Sequence, residues 1–155
     1  MAGNVVDLAT LKVEIENRRR RGERIVLTNG VFDLLHVGHL RYLRAARSLG
    51  DVLVVGVNTD TSVRSIKPGR PLVKETERAE LVAGLGPVDY VVLFGERTAD
   101  RLLEAVRPDV YVKGGDYTEE TVPERETARR VGARIAIVPL VPGQSTTELL
   151  ERLRG

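Results

Sequence analysis

Short runs of apolar residues alternate with amphipathic stretches along most of the chain. The runs that indicate buried strands are 24–29, 51–57, 88–94, 109–112 and 134–140. Between them, apolar residues at helical spacing predict helices at 7–20, 38–49, 76–85, 98–106, 124–131 and 145–153. Strands that alternate with helices are typical of a parallel sheet with right-handed crossovers. The pattern therefore predicts an α/β sandwich built on a five-stranded parallel sheet.

One segment, 64–71, breaks the periodicity. Two prolines and a glycine exclude regular structure there, and the three cations Arg64, Lys67 and Arg70 fall within seven residues. The polar stretch 58–61, which follows the second strand, is expected to cap a short helix that runs through Ser65. The segment is therefore interpreted as a cationic loop beside the sheet.

The composition is that of an ordinary globular protein. No residue is a cysteine, which excludes a disulfide framework and a thiolate metal site. No stretch resembles a membrane span or a signal peptide, so we expect a cytoplasmic protein with no membrane partner. The net charge is only +2 and aromatic residues are 4%, so no nucleic-acid partner is expected, and the run Arg18–Arg21 is interpreted as a solvated helix face.

The length of 155 residues, without a repeat or linker, predicts a single domain. Within it, 1–22 are expected to form a leader helix and 23–155 the core. The chain is long enough to bury a proper apolar interior.

Both histidines of the chain, His36 and His39, lie between the first predicted strand and the next helix. Three residues apart at a helix start, they face the same side, and Gly38 between them leaves room for a phosphate. The unpaired N–H groups and partial positive charge of a helix N-terminus also attract anions. A zinc site is the alternative, but no third ligand is apparent. The stretch 28–39 therefore predicts a phosphate site.

Polar or glycine-bearing turns also follow the other predicted strands. Because the carboxyl ends of parallel strands share one edge of the sheet, ligands bind there. The turns expected to converge on one ligand are 28–30, 58–60, 94–96, 113–116 and 141–147.

Two motifs resemble signatures of the cytidylyltransferase-like nucleotidyltransferases. His36-Val37-Gly38-His39, placed after Gly30-Val31-Phe32-Asp33, is similar to the family's HxGH signature. Ser145-Thr146-Thr147, at the predicted start of the last helix, resembles its second signature, which binds triphosphate. The resemblance covers the chain from about Gly22 onward. It implies a Rossmann-like three-layer sandwich and a homodimer.

Within that family, 28–36, 67–71 and 113–117 look most like the adenylyltransferase half of the bifunctional heptose kinase/adenylyltransferases. This resemblance implies transfer of AMP from ATP to D-glycero-D-manno-heptose 1-phosphate, which gives ADP-heptose and pyrophosphate. Because no kinase domain accompanies the sequence, it also implies a stand-alone form that is linked functionally to a separate heptose kinase.

Glycerol-3-phosphate cytidylyltransferase is the nearest alternative. Its second signature begins Arg-Thr-Glu-Gly, whereas 141–144 read Val-Pro-Gly-Gln, which favours the heptose branch. Transfer to another phosphorylated alcohol stays open. Formation of GDP- or CDP-heptose also stays open, because the spacing of the motifs does not resolve the choice of nucleobase. A nucleotide sensor is disfavoured, since a sensor has no need of transition-state donors.

The resemblance and the anion chemistry assign roles to individual residues. His36, His39 and Lys67 are expected to be catalytic by donating to phosphate oxygens as charge builds. The residues expected to bind the nucleotide are Thr28, Asn29, Gly30, Val31, Phe32, Gly38, Lys113, Gly114, Gly115, Asp116, Ser145, Thr146 and Thr147. Those expected to meet the sugar phosphate are Asp33, Asp60, Arg70 and Arg78. Mg²⁺ is expected to be held mainly by the nucleotide phosphates, without a protein metal site.

Overall fold

The computed structural model describes residues 3–139 and Leu153. In these residues one parallel sheet contains the strands β1 (Asn4–Val5), β2 (Ile25–Gly30), β3 (Val52–Asn58), β4 (Tyr90–Phe94), β5 (Val110–Gly114) and β6 (Arg134–Val138). The helices are α1 (Leu8–Arg20), α2 (Val37–Arg47), α3 (Asp60–Ile66), α4 (Glu75–Ala83), α5 (Asp100–Val106) and α6 (Arg125–Arg130). The predicted Rossmann-like α/β fold is confirmed, but with six strands rather than five. The last predicted helix, 145–153, lies outside the described residues except for Leu153.

The additional strand, β1, is too short to show an alternating pattern. Its two exposed residues, Asn4 and Val5, pair in parallel with Tyr90 and Val91 of β4. Two residues contain no period that sequence analysis can detect. The segment interpreted as a leader helix therefore also supplies an edge strand of the sheet.

The strand order β1-β4-β3-β2-β5-β6 places the topological switch point between β2 and β5. The chain adds β3 and then β4 on one side of β2, and adds β5 on the other. The ladder between β2 and β5 pairs only Val26 with Val110 and Leu27 with Tyr111. The carboxyl ends of these strands are therefore not joined by ladder pairs, and this is the place where open α/β sheets bind ligands.

Helices cover both faces of the sheet, which explains the continuous apolar runs of the strands. All seven residues of β3 are buried. One apolar cluster joins the sheet to α1 and α5 through Leu11 and Leu103, and another joins it to α2 and α4 through Leu43 and Val82. A parallel sheet covered on both faces has this strand composition.

Two predicted local features differ from the structure. The helix capped by Thr59 continues to Ile66, so the irregular segment begins at Lys67 and not at residue 64. The N-cap of α5 is Ala99 and not Thr98, because the Thr98 hydroxyl donates to the Asp100 carboxylate instead of accepting from the helix backbone. The buried carboxylate of Glu124 accepts the N–H of Ala99 itself. No helix of the described part is long and apolar enough to cross a bilayer.

Candidate active site

An open cavity of about 200 Å³ lies beyond the carboxyl end of β2. The residues that line it are Val31, Phe32, Asp33, His39, Lys67 and Arg70. The structure thus brings the histidine stretch and the cationic loop to one cavity, although more than twenty-five residues of sequence separate His39 from Lys67. A concave site with one histidine and two cations is suited to an anionic ligand.

Backbone hydrogen bonds set the tautomer of both histidines. His36 is the N-cap of α2, and its Nδ1 accepts the N–H of Gly38 at 3.1 Å. The Nδ1 of His39 accepts the N–H of His36 at 3.2 Å, which completes a capping box. An Nδ1 that accepts carries no proton, so in each neutral ring the proton is on Nε2. Both side chains therefore present Nε2–H as a donor.

The two imidazoles are held in the neutral form. Burial lowers the pKa of His36, and burial together with the neighbouring His36 lowers the pKa of His39 to about 4. The ring centroids lie 4.1 Å apart. The Nε2 of His36 is buried and has no hydrogen-bond partner in the described part of the chain. A buried donor without a partner costs free energy unless a ligand satisfies it.

The ring of Phe32 fixes one wall of the cavity. Phe32 has a positive φ of 52°, and its ring lies 5.6 Å from that of His39. A Cβ on Gly30 would lie 3.0 Å from the Phe32 ring, so the glycine allows this close approach. Gly30, Val31 and Phe32 therefore act through shape and backbone rather than through polar side-chain atoms.

The loop 67–73 is attached to Asp33. Arg70 Nε donates to Asp33 Oδ2 at 2.6 Å, and the N–H groups of Leu72 and Val73 donate to the same carboxylate at 2.9 Å. Burial acts to raise the pKa of Asp33, but these N–H groups and the Arg70 guanidinium hold that pKa below its ordinary value. The expected contact of Asp33 with the sugar phosphate does not fit this arrangement, because loop donors already surround the carboxylate.

The expected role of Arg78 as a phosphate ligand does not fit the structure either. The residue is fully buried, and its guanidinium donates to the carbonyl oxygens of Val73, Val31 and Asn58. It also donates to Asp60 Oδ1 at 2.7 Å, so one oxygen of the carboxylate that was expected to meet the sugar is already engaged.

Thr28 and Asn29 use their side chains to bind neighbouring elements. The Thr28 hydroxyl donates to the carbonyl oxygen of Val112 in β5 at 2.9 Å and lies 2.8 Å from the Tyr42 hydroxyl. The Asn29 amide oxygen accepts from the Tyr111 hydroxyl at 2.7 Å. These contacts connect β2 to β5 where the ladder has ended, and they form the floor of the switch-point crevice.

Lys113 lies at the end of β5, next to β2. Its Nζ is 5.0 Å from the centroid of the Tyr117 ring and 6.0 Å from that of Tyr111. Burial lowers its pKa, and Glu124 partly offsets that effect. Gly114 pairs with Val138 of β6, Gly115 has a φ of 75°, and Asp116 is exposed. The described lining of the cavity does not include these four residues, although they share its edge of the sheet.

Ser145, Thr146 and Thr147 lie outside the described residues. In the described part no group of three or more His, Asp or Glu side chains is placed to hold a metal ion.

Sequence reasoning missed Tyr42, Tyr111 and Glu124. Burial raises the pKa of Tyr42 to about 12 and raises that of Tyr111 further, so both keep their protons. Glu124 is buried, and its Oε1 has no partner among the described residues. Tyr42 contacts Thr28, Tyr111 contacts Asn29, and Glu124 contacts Ala99. The local sequence gives no signal for these contacts, because each partner comes from a distant element.

Comparison with known proteins identifies the family of the chain. The model of the family described as cytidylyltransferase-like matches residues 27–150, a range that contains both histidines and the cationic loop. The chain belongs to the cytidylyltransferase-like family. The family assignment predicted from the two histidines is thereby confirmed.

Curated relatives share about half of the residues. The bifunctional protein HldE of Syntrophotalea carbinolica is 51% identical over 145 residues, which are 93% of this chain and 30% of the relative. The bifunctional protein HldE of Geotalea uraniireducens is 49% identical over 97% of this chain and 31% of the relative. The chain therefore spans about a third of the length of these relatives.

Solved structures show the same fold. A lipopolysaccharide core biosynthesis protein from Thermoplasma volcanium superposes with a TM-score of 0.65 at 32% identity, covering 77% of this chain and 98% of that protein. Pantothenate synthetase from Thermus thermophilus gives a TM-score of 0.63 at 21% identity, covering 90% of this chain and 62% of that one. The second likeness concerns the fold alone.

Proposed function

We propose that the chain transfers AMP from ATP to D-glycero-D-manno-heptose 1-phosphate and releases pyrophosphate. One observation carries the transfer chemistry: His39 lines one cavity with Lys67 and Arg70, and the ring of His36 lies 4.1 Å from that of His39. Both neutral rings carry Nε2–H as a donor. The sugar acceptor is supported by the resemblance of 113–117 to heptose adenylyltransferases. The likeness to a protein of lipopolysaccharide core biosynthesis also supports a sugar substrate.

The reaction is a single displacement. A phosphate oxygen of the sugar 1-phosphate forms a bond to the α-phosphorus of ATP, and the bond between that phosphorus and the bridging oxygen breaks in line. The electron pair leaves with pyrophosphate. Transfers of this kind depend on positioning and charge stabilisation more than on covalent help.

His36 and His39 donate through Nε2–H to the α- and β-phosphate oxygens, where negative charge grows in the transition state. A neutral donor suits this role because its geometry is already set and no proton has to move first. Removal of one preorganised donor of this type costs about 10²–10³ in rate.

Lys67 and Arg70 supply the positive charge of the cavity. Lys67 begins the loop immediately after α3, where its backbone N–H donates to the Val63 carbonyl oxygen at 2.8 Å. We assign Lys67 to the triphosphate and Arg70 to the phosphates through its terminal nitrogens, since its Nε is held by Asp33.

The nucleoside lies along the switch-point crevice in this proposal. The backbone of 28–32 and Gly38 approaches the phosphates, and Lys113, Gly114, Gly115 and Asp116 meet the ribose and base. We assign Ser145, Thr146 and Thr147 to the β- and γ-phosphates, because this motif resembles the family signature that binds triphosphate. Mg²⁺ bound to the triphosphate would neutralise part of its charge, with few protein ligands.

Asp60 and Arg78 act in this proposal as an ion pair, of a half-buried carboxylate and a buried guanidinium, that shapes the site. The Arg78 contacts join the ends of β2 and β3 to the loop 67–73, through the carbonyl oxygen of Val73. We further propose a cytoplasmic homodimer that receives its sugar 1-phosphate from a sugar kinase activity. The word bifunctional in the relatives' name supports a second activity in the two thirds of their length that this chain does not match.

The substrate assignment is tested by pyrophosphate release from ATP, CTP and GTP, each with heptose 1-phosphates and with glycerol 3-phosphate. We expect the highest kcat/KM for ATP with D-glycero-D-manno-heptose 1-phosphate. A preference for CTP with glycerol 3-phosphate would instead assign the chain to the cytidylyl branch.

A further inference from the structure

The loop 67–73 makes few backbone hydrogen bonds of its own. In the described part of the chain, Lys67 N–H completes α3, and Arg70 N–H closes a turn on the Lys67 carbonyl oxygen at 3.2 Å. Gly69 has a φ of 82°, and no atom lies within 4 Å of the position its Cβ would take. The turn that follows Lys67 is therefore exposed, and it depends on hydrogen bonds to another part of the protein to keep one position.

Asp33 supplies that attachment. Its carboxylate accepts from three donors of the loop, namely Arg70 Nε, Leu72 N–H and Val73 N–H. Leu72 N–H lies 2.9 and 3.0 Å from the two oxygens, so both oxygens are engaged. The Asp33 side chain is only 2% exposed, whereas the Leu72 residue is 57% exposed. The loop is thus held by two backbone N–H groups and the Arg70 side chain, and not by burial of the Leu72 side chain.

Asp33 connects the two sides of the cavity, which are formed by Phe32 with His39 and by the loop that carries Lys67. Asp33 follows Phe32, whose ring contacts His39, and it accepts from the loop that carries Lys67. A shift of this carboxylate would change the separation between Lys67 and the histidines. Misplacement of a catalytic group by about 1 Å costs about 10² in rate.

The charge arrangement also explains why a carboxylate is tolerated in an anion site. Arg70 and two backbone N–H groups surround the negative charge, so the phosphates do not face a free carboxylate. The loop donors hold the pKa of Asp33 below its ordinary value against the opposing effect of burial, so the attachment is intact at neutral pH.

We infer that Asp33 is a positioning residue that holds Lys67 over the histidine pair through Leu72, Val73 and Arg70, rather than a ligand of the sugar phosphate. This inference rests on the proposed nucleotidyl transfer. In this inference Asp33 touches no substrate, and it affects the reaction only through the position of Lys67.

The first test measures amide hydrogen exchange of the wild-type protein without ligand. The N–H groups of Leu72 and Val73 should exchange at least about tenfold more slowly than that of Gly69, because a buried carboxylate accepts them. Exchange as fast as that of Gly69 would overturn the inference. This readout does not depend on whether the protein uses ATP or a heptose phosphate.

The second test is a double-mutant cycle of Asp33→Asn and Lys67→Ala, followed through kcat/KM for ATP. If Asp33 acts through Lys67, D33N should lower kcat/KM about 10²-fold alone and less than about 3-fold in the K67A background. Multiplicative effects of the two substitutions would overturn the inference.

Asp89→Asn is the matched control for this cycle. Asp89 likewise accepts a backbone N–H, that of Leu53 at 2.8 Å, and pairs with an arginine, Arg47 at 3.3 Å, but it lies at the amino ends of the strands. D89N should leave kcat/KM unchanged. If the wild type transfers no nucleotide at all, the proposed function fails, and the exchange measurement still decides whether Asp33 holds the loop.

Discussion

At the scale of single residues, the histidine pair is defined by its backbone partners. The Nδ1 atoms of His36 and His39 are both occupied by N–H groups of the α2 capping box, which leaves Nε2–H as the free donor of each ring. A substitution that keeps a donor but loses the Nδ1 acceptor would therefore disturb the helix start as well as the chemistry. The same two rings cap a helix and provide the donors of the candidate site.

The low pKa of His39 predicts a loss of stability in mild acid. The unfolded chain has a histidine pKa near 6.5 and the folded protein one of about 4, so the unfolded state binds more protons between these values. The contribution of neutral His39 to the free energy of unfolding is complete above about pH 6.5, and it is lost as the pH falls towards 4. We expect a loss of about 1–2 kcal/mol in the free energy of unfolding, which allows for partial solvent screening of the ring.

Urea unfolding at pH 7 and at pH 4.5 measures this loss, with His39→Gln as the comparison. The glutamine cannot gain the proton, so the H39Q protein should lose less stability over the same interval. His36 titrates beside it in the same direction and leaves a residual slope in H39Q. An equal pH dependence in the two proteins would contradict the neutral state assigned to His39.

At the scale of elements, Arg78 fastens α4 to the strand ends that carry the site. Its guanidinium satisfies the carbonyl oxygens of Val31 after β2 and Asn58 at the end of β3, as well as the Asp60 carboxylate at the start of α3. Helix α4 therefore holds the strand ends of the candidate site in place through the Arg78 side chain.

Arg78→Met should lower the free energy of unfolding by about 3–5 kcal/mol, because it leaves a carboxylate and several carbonyl oxygens without their buried donor. Chemical denaturation measures the change. The matched control is Arg101→Met, whose side chain is 83% exposed and lies 4.0 Å from Glu96. R101M should change stability by less than about 0.5 kcal/mol, and a comparable loss in both variants would contradict the structural role of Arg78.

The elements also show the limits of sequence analysis. Five strands and the helix after His36 could be predicted because burial on both faces and helical spacing leave a periodic trace. The two residues of β1 leave none. The burial of Arg78 and the attachment of Asp33 to the loop could not be predicted, since both depend on partners from elements distant in sequence.

At the scale of the whole molecule, the switch point between β2 and β5 unites features that sequence analysis found separately. The crevice, the histidine pair and the cationic loop lie at one edge of the sheet. Strand order decides this, because it makes β2 the neighbour of both β3 and β5. The general rule for parallel sheets predicted this edge as the ligand site from the sequence, and the family match covers the residues that form it.

The central claim is that the histidine pair carries out nucleotidyl transfer. Phosphorus NMR of the protein with ATP, Mg²⁺ and D-glycero-D-manno-heptose 1-phosphate tests it by following the sugar diphosphate and pyrophosphate directly. The wild type and the surface control Arg41→Ala, an exposed residue of α2, should form both products in equal amounts. His39→Ala should form them about 10²–10³ times more slowly while remaining folded. Formation at the wild-type rate in H39A, or no sugar diphosphate from the wild type, would contradict the account.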